Sequence, residues 1–170
     1  MKSVVMMGVA GCGKSSAGQA VAQTLGLPLI EGDAFHPEHN LEKMRKGMAL
    51  TDADRADWLS TLGQTLAQQK AGAVLTCSAL KRAYRDRLRT HVPNLLFVFL
   101  DIDRQTAHQR VTARAGEHLF PPSLVESQFA TLESPVGEVG VLRVDATQRL
   151  DQLNTSVSQW LRDESSKEAA

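Results

Sequence analysis

Gly8-Val9-Ala10-Gly11-Cys12-Gly13-Lys14-Ser15 follows the apolar run Ser3 to Met7 and leads into the helix-forming stretch Lys14 to Leu25. The octapeptide satisfies G-x-x-x-x-G-K-S/T at every fixed position. Its context is the one this motif needs, with a buried strand before it and a helix after it. Gly8, Gly11 and Gly13 allow backbone conformations and close approaches that a Cβ would block. The main-chain N–H groups from Gly8 through Val9, Ala10 and Cys12 to Ser16 then surround a polyphosphate at the positive end of the following helix. In this reading the loop binds ATP, Lys14 bridges the β- and γ-phosphates, and the Ser15 hydroxyl ligates Mg²⁺.

Working outward, short apolar runs alternate with helical patterns. Strands are expected at Ser3–Met7, Leu27–Ile30, Ala73–Cys77, Leu95–Leu100 and Val141–Val144. Helices are expected at Lys14–Leu25, around Leu41 and Met44, from Thr51 or Asp52 through Trp58, Leu62 and Leu66, at Lys81–His91, from Asp103 to Ala115, at Ser123–Leu132, and from Asp145 onward. Trp58 joins an apolar helix stripe and reads as core. The polar stretch 163–170 reads as a frayed tail. Strands alternating with helices imply an α/β domain, a five-stranded parallel sheet with helices on both faces. Ligands of such sheets bind at the carboxyl ends of the strands. Gly8 to Ser15, Asp33, Ser78 to Lys81 and the segment after Leu100 all fall there.

The chain has 170 residues, 42% of them hydrophobic and 22% charged, which suits one domain, residues 1–170. Its formal net charge is zero. No long-range field would gather nucleic acid or an anionic membrane, so an anionic ligand needs a local site. Cys12 and Cys77 are too few for a disulfide framework and read as reduced thiols, which fits the cytoplasm. The apolar run after Lys2 is broken by Gly8 and followed by Lys14, so it reads as a strand rather than an export leader. No stretch approaches the length of a membrane span.

A GTP-dependent switch would carry D-x-x-G and N-K-x-D after its phosphate loop, and neither occurs. A mechanochemical ATPase would carry an acidic pair at the end of a hydrophobic strand. Here Asp101 is followed by Ile102, and Asp101 reads as the start of the next helix rather than a metal partner. Arg110 and Arg114 lie four apart on one helix face, just before the loop Gly116 to Pro122. They are placed to close over ATP and neutralise transferring charge, in a mobile lid spanning about residues 110–125.

Further stretches extend the pattern well beyond the phosphate loop. Glu31-Gly32-Asp33-Ala34-Phe35-His36-Pro37, Asn40 to Met44, Leu50 to Leu59, Cys77 to Arg85, and Gln128-Phe129 with Leu132-Glu133 together resemble the gluconate kinase (gluconokinase) family, in order and at suitable spacing from about residue 3 to 160. The resemblance implies a nucleoside-monophosphate-kinase-like fold. It also implies ATP-dependent phosphorylation of gluconate to 6-phosphogluconate, and an enzyme that is often a homodimer.

Such an acceptor offers a primary hydroxyl and a carboxylate. Asp33, after the second strand, is the candidate base or orienter for the hydroxyl. Arg55, Lys81 and Arg85 are candidates to grip the carboxylate. His36 and Asn40 are candidates for the remaining hydroxyls, and Ser78 could place a hydroxyl or N–H near the acceptor. A kinase for shikimate or a nucleoside monophosphate, and a nucleotide-dependent regulatory protein, remain alternatives.

Overall fold

The computed structural model describes residues 1–114 and 121–167. Five strands form one parallel sheet: β1 (Val4–Met7), β2 (Leu29–Glu31), β3 (Val74–Thr76), β4 (Leu96–Asp101) and β5 (Val141–Asp145), in the order β2-β3-β1-β4-β5. Val4 sits opposite Val74 on one side and Leu96 on the other. Every residue of β1 is fully buried, because helices cover both faces of the sheet.

The helices are α1 (Lys14–Leu25), α2 (Glu38–Arg45), α3 (Asp52–Ala67), α4 (Arg82–His91), α5 (Arg104–Ala113), α6 (Val125–Thr131) and α7 (Leu150–Ser166). The two-residue period of β1 sorts the core into halves. Val4 and Met6 pack with Ala17, Val21, Val157 and Leu161 of α1 and α7. Val5 and Met7 pack with Leu59, Leu62 and Leu88 of α3 and α4. Leu62 is fully buried, so truncating it to alanine would cost about 2–5 kcal/mol.

Local chemistry sets the element ends. Thr51 caps α3 in a closed capping box: its hydroxyl accepts from Asp54 N at 3.1 Å, and the Asp54 carboxylate accepts from Thr51 N at 2.8 Å. At Gly32 a Cβ would lie 2.2 Å from the Thr76 carbonyl, so only glycine lets the end of β2 pass this close to β3.

Two expectations are corrected. Asp101 does not start a helix: it ends β4 and pairs with Arg143 at 2.7 Å, while Asp103 caps α5 through Thr106 N at 2.8 Å. The chain does not fray at Asp163, since α7 runs to Ser166. There Ser165 Oγ accepts from Lys2 N at 3.3 Å and Glu164 pairs with Lys167. Of the lid expected over 110–125, residues 115–120 lie outside the described residues, as do 168–170 of the tail.

Candidate active site

The phosphate loop leaves β1 at Gly8, whose φ of +147° and neighbours leave no room for a side chain. A Cβ there would stand 2.8 Å from Cys12 Sγ and 2.9 Å from the Leu100 carbonyl. The loop has a structural side and an open side. Gly8 N–H donates to the Ser78 carbonyl (3.3 Å), Cys12 N–H to Val9 O (3.2 Å), and Ala10 N–H to Gln128 Oε1 (2.8 Å). The amides of Gly8, Ala10 and Cys12 therefore hold the loop's shape, which corrects the reading that all of them face phosphate. Gly11, Gly13, Lys14, Ser15 and Ser16 line an open cleft with Arg110 and Arg114. The first N–H groups of α1 have no acceptor within the helix and point to this side.

Lys14 Nζ donates to the carbonyls of Gly8 and Val9, at 3.1 and 3.3 Å, so its ammonium is held over the loop. Arg110 reaches the loop from α5. Its Nη1 donates to Gly11 O at 3.3 Å and its Nη2 to Ala146 O at 3.2 Å. Arg114, at the end of α5, lines the same cleft. This concentration of cations and N–H donors is what a polyphosphate requires, in a chain with no net charge.

Two residues that sequence reasoning gave no role stand behind Ser15. The Ser15 hydroxyl lies 3.2 Å from Glu31 Oε2, which also accepts from the Thr76 hydroxyl; that hydroxyl in turn accepts from Gly32 N–H. The adjoining hydroxyl and carboxylate are hard oxygen donors of the kind Mg²⁺ takes alongside phosphate oxygens. Among the described residues no cluster of three or more His, Cys, Asp or Glu could hold a metal alone. Cys77, fully buried nearby, has its thiol pushed up to about 12 by that burial and is no nucleophile.

A second cleft, open to solvent, adjoins the first. Its polar lining includes Asp33, His36, Arg55, Ser78 and Gln128, with Met44, Leu50 and Trp58 as apolar walls. Lys14 and Asp33 line both clefts. Trp58 is core, as its stripe implies, with Nε1 donating to Gly32 O at 2.9 Å. It is also a wall on which His36 stacks at 4.0 Å.

The three candidate cations separate cleanly. Arg55 is 8% exposed and lines the second cleft, held by one nitrogen: Nη1 donates to Leu50 O (2.9 Å) and to the Tyr84 hydroxyl (3.0 Å). Lys81 does not line this cleft. It pairs with Asp52 at 3.1 Å, and Asp52 also accepts from the Tyr84 hydroxyl. Those hydrogen bonds, from Tyr84 first and Lys81 second, hold the Asp52 carboxyl below its ordinary range. Arg85 is fully buried and fully engaged with Glu138 (2.6 Å) and the carbonyls of Ala79, Leu80 and Glu133. It braces the segment that carries Ser78 and does not reach the cleft. Asn40 is likewise not a wall: it is completely buried behind His36.

Comparison with known proteins agrees with this geometry. A family model described as an AAA domain matches residues 4–135. The gluconokinase of Gluconobacter oxydans is 46% identical over 151 residues, covering 87% of this chain and 84% of the relative. The chain belongs to the gluconokinase family. The thermoresistant gluconokinase of Escherichia coli is 40% identical over 162 residues, covering 93% of this chain and 92% of its own. Among solved structures, a gluconokinase from Sinorhizobium meliloti superposes with a TM-score of 0.84 at 44% identity, covering 96% of this chain and 97% of that one. An APS kinase from Mycobacterium tuberculosis, at 24% identity and a TM-score of 0.69, shares the fold. The chain is thus a P-loop kinase, and ATP is the nucleotide the family implies. None of the described helices is long and apolar enough to cross a membrane.

Proposed function

We propose that this protein transfers the γ-phosphoryl group of ATP to the primary hydroxyl of D-gluconate, giving 6-phosphogluconate and ADP. The observation that carries the reading is that Lys14 and Asp33 line both clefts. One cleft has the donors for a polyphosphate, and the other has a buried arginine for a carboxylate. Transfer between them must cross the junction where the ammonium and the carboxylate stand.

In this mechanism Gly11, Gly13 and the start of α1 hold the phosphates, Lys14 follows the transferring group, and Arg110 and Arg114 neutralise its charge. Ser15 would hold Mg²⁺, with the Glu31 carboxylate adjoining it. The ion, when bound, supplies Lewis-acid stabilisation of the phosphate oxygens. Asp33 orients the acceptor hydroxyl and takes its proton as the P–O bond to the β-phosphate breaks and the new P–O bond forms. Arg55 grips the carboxylate, since its Nη1 edge alone is tied down. The acceptor hydroxyls meet His36 and Ser78. A homodimer in the cytoplasm completes the reading, and sedimentation velocity tests the dimer.

The decisive assay offers ATP-Mg²⁺ with a panel of sugar acids, shikimate and nucleoside monophosphates, following ADP release and product mass. Gluconate-dependent ADP release with a phosphogluconate product is expected. Release on shikimate or a monophosphate instead would replace the acceptor. Nucleotide binding without acceptor-dependent turnover would remove the kinase chemistry.

A further inference from the structure

Asn40 lies beneath the acceptor cleft, completely buried. Its Oδ1 is the only buried side-chain oxygen or nitrogen, among the described residues, without a hydrogen-bond partner. Its Nδ2 is fully occupied, 2.9 Å from the Asp54 carbonyl and 3.2 Å from His36 Nδ1. An amide nitrogen carries two hydrogens, so one goes to each. The opposite amide orientation would set Oδ1 against the Asp54 carbonyl, two acceptors at hydrogen-bond distance, so the backbone decides which way Asn40 points.

A consequence follows for the histidine. Because Asn40 can only donate there, His36 Nδ1 must hold its lone pair, and the ring proton sits on Nε2. The ring is fixed as well. It is 9% exposed and stacked on Trp58 with an interplanar angle of 18°, and Trp58 is itself pinned to the Gly32 carbonyl. Nε2 therefore faces Asp33, 3.6 Å from Oδ1. A second ring proton would set Nδ1–H against the Asn40 N–H. Among the described residues, the charged groups that share the cleft with the ring are Asp33, Lys14 and Arg55, and on the Asn40 side Asp54, whose carboxylate is paired with Lys43 of α2 at 2.7 Å.

We propose that Asn40 is a positioning residue that fixes His36 as the neutral Nε2–H tautomer, so that the ring donates to Asp33 or to the acceptor oxygen without carrying charge. An imidazolium at this place, 3.6 Å from Asp33 Oδ1, would pair with that carboxylate as an ion and compete with the acceptor hydroxyl for it. A neutral N–H orients the same carboxylate without forming an ion pair. The orphaned Oδ1 fits this role, since both amide hydrogens stay committed while the oxygen gets nothing. The catalytic consequence rests on the phosphotransfer reading above; the tautomer does not.

The test is a long-range ¹⁵N–¹H correlation spectrum of the full-length protein labelled at histidine, at pH 7 to 8, with His36 assigned by its loss in His36→Gln. The expected pattern is a protonated Nε2 and a lone-pair Nδ1. A protonated Nδ1, or an imidazolium, overturns the proposal, and this arm needs no variant of Asn40. The isosteric Asn40→Asp replaces the donor with an acceptor and should move a proton onto Nδ1. It should also lower kcat on gluconate by about tenfold or more and make it pH-dependent, with ATP affinity unchanged. A ring that changes protonation while kcat stays at the parent value overturns the positioning role. Should the parent release no ADP on any acceptor, the functional reading fails, and the spectrum still decides the tautomer.

Discussion

Arg55 Nη1 donates to the Tyr84 hydroxyl at 3.0 Å, and the guanidinium carbon stands 5.3 Å from the Tyr84 ring centre. Tyr84 donates in turn to Asp52, which also takes Lys81. The tyrosine thus aims one arginine at the cleft and is itself held by the carboxylate that binds the neighbouring lysine.

This arrangement predicts which cation reads the acceptor. Arg55→Lys loses both the fixed edge and the fork, and the KM for gluconate should rise about 10- to 100-fold while the KM for ATP barely moves. Lys81→Met should leave the gluconate KM within about threefold. Steady-state kinetics with each substrate varied checks both, and a larger effect at Lys81 would exchange their roles.

Arg85 and Glu138 predict a stability effect instead. Arg85 is fully buried, and Glu138 meets its Nε and Nη2 while also accepting from Arg89 at 3.0 Å. Burial alone would raise the Glu138 carboxyl, but the hydrogen bonds and charges of Arg85 and Arg89 prevail and hold it below the ordinary range. Glu138→Ala strands a buried guanidinium, at a cost of about 3–5 kcal/mol. Urea unfolding followed by circular dichroism should show the loss. Glu126→Ala, which breaks exposed contacts to Arg104 and His108, should leave the midpoint nearly unchanged.

Asp54 sets a pH dependence. Its carboxyl is lowered to about 2, first by the hydrogen bond from Lys43 and then by that from Thr51 N–H. A depressed carboxyl contributes stability that is complete above its unfolded value, near 3.8, and fades as pH falls through the folded one. The start of α3 should therefore hold at pH 5 and weaken progressively below about pH 4. A carboxyl ¹³C titration should place Asp54 near 2, and Asp54→Asn should flatten the acid limb of stability.

Much of this architecture is legible in the chain itself, and the reasons are local. The phosphate loop, the strand before it and α1 each announce themselves within a dozen residues, and Lys14–Leu25 is observed with the bounds its pattern predicts. The division among Arg55, Lys81 and Arg85 is not legible, because it depends on partners far along the chain. Glu138 lies 53 residues beyond Arg85, and Gln128 lies 118 beyond the Ala10 amide it accepts from. Glu31 reads as a strand terminus until the pairing of β2 with β3 brings Thr76 beside it. Asn40 carries no motif for burial; its place follows from the packing of α2 against the start of α3.

The central claim is that phosphoryl transfer crosses between the clefts at Lys14 and Asp33. Single-turnover ADP formation by Asp33→Asn, at saturating ATP-Mg²⁺ and gluconate, tests it most directly, with ATP affinity measured by calorimetry on the same preparation. The account predicts a rate slower by about 100-fold or more with ATP affinity essentially unchanged. A rate equal to the parent's would contradict it.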